Sequence, residues 1–264
     1  MKKTALPLLA LCLALLAGCG PADGAALPSE SPTDTSAVLV DGAPWFATFR
    51  VVTGAETGEL VLAANDGTPG EVYVLNTEGV SLDRPVENGE LINVYYETVM
   101  ESFPCQFSNV TAVEHTETER DDRCGLYLQV LEDLWAVDEG LNGDITELGV
   151  DLSSVTDLSE SEKSAVAWAF GNAHGLTSVE GTLEELWEQG YLTRMTEPAE
   201  GYADSLALYY WEEGVLFSVS GCARDGFNAQ KWRSGLGAYF FQDCTAVQAD
   251  DGTWTYTVGS EAIS

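Results

Sequence analysis

From Ala37 to Glu114 the apolar residues come in short or alternating runs separated by glycine and asparagine turns, which leaves little scope for anything but β-structure. The runs are Ala37–Val40, Trp45–Val52, Glu59–Ala64, Glu71–Leu75 and Leu91–Tyr96, with a last one near Asn109–Val113. Asn65-Asp66-Gly67 and Glu87-Asn88-Gly89 supply turns, because glycine and asparagine accept the positive φ that tight reversals demand. Five or six strands in so short a stretch predict a small all-β, OB-like barrel over residues 37–114. Closure would remove the unpaired edges that such short strands otherwise present to other chains.

After a charged connector, residues 115–122, the pattern changes period. Leu126, Val130, Leu131, Leu134 and Val137 share one face of a helix. Ser159 and Glu162 form a capping box that opens a second helix, with Ala165, Val166, Ala169 and Phe170 on its inner stripe. Thr182 and Glu185 repeat the box for a short third helix. Two hairpins are expected next: Leu206–Trp211 with Val215–Ser220, and Ala238–Val247 with Thr253–Val258 through the Asp251-Gly252 turn. Three helices and a four-stranded antiparallel sheet make residues 123–264 an α+β domain, of NTF2-like or cystatin-like kind. The chain thus reads as two small domains.

The amino terminus reads as an address. Lys2 and Lys3 precede an apolar run, Ala5–Leu16, that is too short to span a bilayer, which takes about 20 residues. Leu16-Ala17-Gly18-Cys19 then has the form of a lipobox. Residues 1–18 are expected to be a lipoprotein signal peptide, Cys19 the acylated residue, and 19–36 a flexible tether rich in Pro, Gly, Ser and Ala. Acyl chains on one residue would hold the chain on the extracytoplasmic face of the cell membrane, each buried CH₂ contributing about 0.8 kcal/mol.

Charge limits the partners. Against 43 carboxylates the chain has 11 lysines and arginines, a formal net charge of −32. Such a surface repels phosphate backbones, so nucleic acid is excluded as a partner. Hydrophobic content of 45% with seven tryptophans is far above that of a disordered acidic chain, so the charge is a solvated shell over a core.

A resemblance narrows the first half. Gly89-Glu-Leu-Ile-Asn-Val-Tyr-Tyr-Glu97, followed by Met100-Glu-Ser-Phe-Pro104 and Gln106, resembles a strand-plus-loop segment of the YobA-like domains of exported Firmicutes proteins. The chain departs from that pattern at Cys105, where the family often has a small residue. The resemblance implies an OB-type fold and an exported compartment; it implies no reaction. The stretch 230–239 with Trp254 resembles the carboxy-terminal halves of uncharacterised Firmicutes lipoproteins, likewise without chemistry.

Little else points to catalysis. There is no G-x-S-x-G, S-x-x-K, H-E-x-x-H or Walker loop, and no catalytic residue, cofactor or metal site is expected. Residues 138–144 fall short of a calcium loop, since positions 140 and 149 are both Gly. His174 is expected to cap a helix end and His115 to be solvated. Outside the signal and lipid cysteines, four remain: Cys105, Cys124, Cys222 and Cys244. Cys222 and Cys244 are the pair expected to bridge if any does, four buried thiols being the alternative. One cluster stands out: Arg224, Lys231 and Arg233, interleaved with Trp232, form a positive island in an acidic chain. It would contact an anionic small ligand, or else pair with the protein's own acids. The expected role is a non-enzymatic binding or interaction module serving an envelope protein or such a ligand. The alternatives are a hydrolase of envelope or exogenous polymers, with its acids hidden among the 43, and a cystatin-like inhibitor of secreted proteases.

Overall fold

Apolar side chains occupy both faces of the first sheet, and this sets the architecture. The computed structural model describes residues 45–195 and 208–264, which belong to one compact unit, Gly42–Ser264. The signal segment, Cys19, the tether and the expected strand Ala37–Val40 lie outside the described residues. The first sheet comprises β1 (Trp45–Thr53), β2 (Glu59–Ala64), β3 (Val72–Asn76), β4 (Ser81–Leu82), β5 (Leu91–Tyr96), β6 (Thr98–Met100), β7 (Cys105–Ser108) and β8 (Ala112–His115). Leu60 and Leu62 of β2 pack with Phe49, Val51, Leu75, Ile92 and Val94 on one side, while Val61 and Ala63 face the opposite way.

The sheet runs β4-β8-β5-β1-β2-β3-β7-β6, so among the described residues β4 and β6 are edges and the expected OB-like barrel is not closed. The reason lies in β7. It pairs parallel with β3 only at Tyr73↔Cys105 and Val74↔Gln106, then diverges. Phe107 turns onto the outer core, stacking on Tyr73 and meeting Phe49 edge-on and Tyr96 at a tilt. The sheet curls over its own apolar face and stops short of sealing it.

The inner face meets helices. α1 (Arg123–Ala136) is capped by Asp122, whose carboxylate accepts the Gly125 N–H at 3.2 Å. α2 (Glu160–Ala173) and α3 (Leu183–Glu188) begin with the reciprocal capping boxes Ser159/Glu162 and Thr182/Glu185, as the sequence predicts. Val52, Val61, Ala63 and Val72 of the first sheet share a core with Val130, Leu131, Leu134, Val166 and Phe170 of α1 and α2, and with Val215, Phe217 and Phe227 beyond. Polar contacts fasten the same seam: Ser161 Oγ donates to the Ala64 carbonyl at 2.6 Å, and Arg50 pairs with Glu162 at 3.3 Å. A layer of helices therefore lies between two sheets and feeds side chains to both.

The second sheet is larger than expected. It contains β9 (Glu147–Asp151), β10 (Thr177–Glu180), β11 (Thr193–Arg194), β12 (Tyr209–Tyr210), β13 (Gly214–Cys222), β14 (Gly226–Ser234), β15 (Gly237–Gln248), β16 (Trp254–Thr257) and β17 (Ser260–Ile263). β9 lies parallel to both β10 and β13. Nine strands with parallel pairs, and sheet on both sides of the helices, replace the four-stranded antiparallel sheet of an NTF2-like or cystatin-like domain. Residues 206 and 207 of the predicted hairpin of Leu206–Trp211 with Val215–Ser220 lie outside the described residues; among those described, β12 pairs with β11 and β14 rather than with β13, and β13 turns directly into β14. The β15–β16 hairpin forms as expected. On the outer face Trp211 lies flat over Gly149 and Gly214, where a Cβ would sit 2.7 and 2.1 Å from its ring, and joins Leu186, Leu192, Leu216 and Trp232 in a small core.

Candidate functional site

The positive island dissolves in the structure. Lys231 and Arg233 lie on β14, whereas Arg224 sits exposed in the β13–β14 turn at the far end of the hairpin. Lys231 is fully buried, and its ammonium faces the carbonyls of Leu134, Trp135, Val137 and Asp138 at 3.3, 3.3, 2.7 and 3.1 Å. They are carbonyls of the last turn of α1 and of the two residues that follow it, where acceptors lack intrahelical donors, and a cation there also meets the negative pole of the helix. Burial pushes its pKa down to about 8, with Asp138 and Glu139 pulling the other way. Arg233 spends its guanidinium on the carbonyls of Trp211, Leu141, Gly143 and Glu212. Trp232 points to the opposite face and is buried in the outer core. The three cations do not converge on a ligand. Strand parity could have shown this for Lys231, which shares its face with the core residues Phe227 and Ala229.

Among the described residues the four cysteines, Cys105, Cys124, Cys222 and Cys244, are free. β14 lies between the strands of Cys222 and Cys244, and two strand spacings of about 4.8 Å exceed the Cα separation a disulfide tolerates. His115 is not solvated: its ring is 5% exposed, held between Asp83, on Nδ1, and Glu90, 3.1 Å from Nε2. The neighbouring imidazole keeps the Asp83 carboxyl below its ordinary range. His174 closes α2, stacks on Trp135 with centroids 3.8 Å apart and pairs with Glu132 at 3.1 Å. Both histidines fasten structure. No cluster of three or more metal-ligating side chains is placed to hold an ion among the described residues. No helix among them is long and apolar enough to cross a membrane.

A cavity lies where the first sheet fails to close. A groove of about 630 Å³ opens beside Leu75 and Asn76 of β3, across from Gln106 and Phe107 of β7, with Trp168 of α2 on its rim. That volume is typical of ligand sites. Its floor is apolar, and Asn76, Gln106 and Asn172 bring amide groups to its walls. Two exposed carboxylates, Glu59 and Glu78, complete the lining. Histidine, cysteine, serine and lysine are all missing from it. Trp168 and Asn172 are helical neighbours at i and i+4, off the stripe that α2 buries. A large aromatic on the helix's other face was the available signal for this site.

A smaller crevice of about 230 Å³ lies at the carboxyl ends of the parallel strands β9 and β10, lined by Asp151, Glu160, Lys163, Glu180 and Glu185. Lys163 pairs with Glu160 at 2.8 Å. Glu180 is exposed as a residue, but its carboxyl group turns in to accept the Ser164 hydroxyl at 2.9 Å. Burial there, with a smaller push from Glu160, holds its pKa up. No protein-family model, curated protein or solved structure matches this chain.

Proposed function

We propose that this chain is a lipid-anchored, extracytoplasmic binding module whose ligand lies in the groove between β3, β7 and α2. The single observation that carries the reading is that groove: an apolar floor, three amides and an indole in a ligand-sized space that lacks a side-chain nucleophile or imidazole. The Leu16–Cys19 motif and the resemblance of residues 89–106 to YobA-like exported domains support the compartment, with Cys19 as the acylated residue. The ligand class follows from shape and charge. β3 loses its β7 partner after Val74, so an extended segment of an exported protein can lie along it, with apolar side chains on Leu75 and Phe107. Glu59 and Glu78 favour a neutral or basic segment over an acidic one.

The test is crosslinked capture from intact cells of the wild-type chain and the Trp168→Ala variant, with Cys19→Ser as a compartment control. Proteins that bind the groove disappear with Trp168→Ala, and Cys19→Ser releases the chain from the membrane. An identical set of captured proteins with and without Trp168 would sink the groove. An acid–base hydrolase at the β9–β10 crevice is the second reading, favoured by the buried carboxyl of Glu180 beside Glu160. It requires that Glu180→Gln abolish a measurable polymer hydrolysis.

A further inference from the structure

The outer face of the second sheet is divided. One half is covered by the Trp211 and Trp232 core; the other is open and forms a shallow cavity of about 510 Å³. Strand pairing aligns Ser218 with Gln230 and Phe240, and Ser220 with Asn228. Gln242 lies two residues past Phe240 on the same face. Their neighbours Val219, Ala229 and Phe241 point inward to the helix layer, so the outward set is distinct from the core.

We propose that this open half binds an uncharged oligosaccharide. Among the described residues, the side chains of Ser218, Ser220, Gln230 and Gln242 make no hydrogen bond to another residue, so their donors and acceptors are available. Asn228 uses only its carbonyl oxygen, which accepts the Asp243 N–H at 2.9 Å, and keeps its amide hydrogens. Phe240 sits at the boundary: it packs against the Trp211 and Trp232 core, is half-buried, and still lines the cavity beside the amides, where an aromatic can stack on a pyranose face.

Charge selects the ligand. In a chain with 43 acids, these six outward positions are all neutral, and carboxylates enter only at the rim, at Asp151 and Asp243. Neutral hydroxyls match such a strip, while an anionic polymer meets repulsion from the rim and from the whole surface. Backbone pairing separates sugar from peptide. β14 is paired on both sides, by β13 and β15, so an extended peptide finds no free strand edge there. Recognition must come from side chains, face on. This site is independent of the groove beside β3.

The experiment is side-chain amide NMR of the full chain titrated with neutral hexasaccharides of glucose, xylose and N-acetylglucosamine, followed by calorimetry. The amide signals of Asn228, Gln230 and Gln242 shift saturably with at least one of these sugars. Phe240→Ala weakens that affinity by roughly tenfold or more, and Gln242→Ala, at an exposed position that leaves the fold intact, weakens it by a smaller factor. Trp168→Ala leaves it unchanged. The proposal is overturned if the three amides stay still at millimolar sugar, if Trp168→Ala rather than Phe240→Ala removes binding, or if only a peptide moves them.

Discussion

The two sheets press on the same helices but resolve their far faces in opposite ways. The outer face of the first sheet is apolar along β1, β2 and β5, so water must be kept off it, and the sheet curls until Phe107 and Tyr96 cover most of it. The outer face of the second sheet is mainly apolar where Trp211 and α3 shield it; beyond Phe240, at the margin of that core, it carries serines and amides and stays open. Apolar residues on both faces force curvature or a lid, whereas neutral polar residues let a sheet face solvent uncovered. Each choice leaves its own kind of cavity: a groove of mixed apolar and amide lining at an unfinished seam, and a strip of serines and amides around one aromatic ring.

This contrast can be broken most sharply at Leu62, which is fully buried in the curled face. Leu62→Ala is expected to destabilise the chain by about 3 kcal/mol, read as a fall in the urea midpoint. A loss below about 1 kcal/mol would mean that the curled face is not a core.

Next in size is Asp122, at the join between the sheets, where its N–H donates to the Gly252 carbonyl of the β15–β16 turn at 3.0 Å. Burial raises the Asp122 carboxyl from 3.8 to about 6, with Arg120, the Gly125 N–H and Arg50 opposing. A carboxyl with a raised folded pKa contributes stability that is complete below pH 3.8 and is lost as pH rises through about 6. At neutral pH the folded chain therefore carries a buried charge. Asp122→Asn keeps an N-cap acceptor and removes that charge, so it should add on the order of 2 kcal/mol at pH 7.5 and almost nothing at pH 4. Thermal melts of both proteins across that range check it; a difference that does not grow with pH contradicts the assignment.

Smaller still is Gly252→Ala. Gly252 has φ +83°, and a Cβ would stand 2.2 Å from the Arg120 carbonyl, so the turn must shift away from the connector. A loss of about 1–2 kcal/mol is expected by urea unfolding. On the open strip, Gln230→Ala should change stability by less than about 0.5 kcal/mol, against the large loss at Leu62. Equal losses at the two positions would erase the distinction between the faces.

What the sequence made legible follows the same division. Capping boxes placed α2 and α3, because Ser159 and Thr182 each satisfy backbone donors within a few residues. Alternation located β1, β2 and β5, and the Asp251-Gly252 turn located β15 and β16. All of these are local signals. β9 and β10 escaped because a four- or five-residue parallel strand is defined by a partner reached across a helix. The groove escaped for the same reason: Trp168 comes to line one cavity with Leu75 and Phe107 only after the helix has docked on the sheet. His115 looked solvated because Asp83 and Glu90, which enclose it, stand far away in the chain. Barrel closure failed as an inference because it depends on how long β7 stays beside β3, which no local pattern records.

The shared helix layer has a bearing on what a protease can do to this molecule. A cut within residues 116–122 severs the chain without severing the core, since Val52, Val61, Ala63 and Val72 remain wedged among α1 and α2 side chains. The two pieces should co-migrate on a sizing column and part only in denaturant. Produced separately, the amino-terminal piece would carry that bare stripe into water and precipitate.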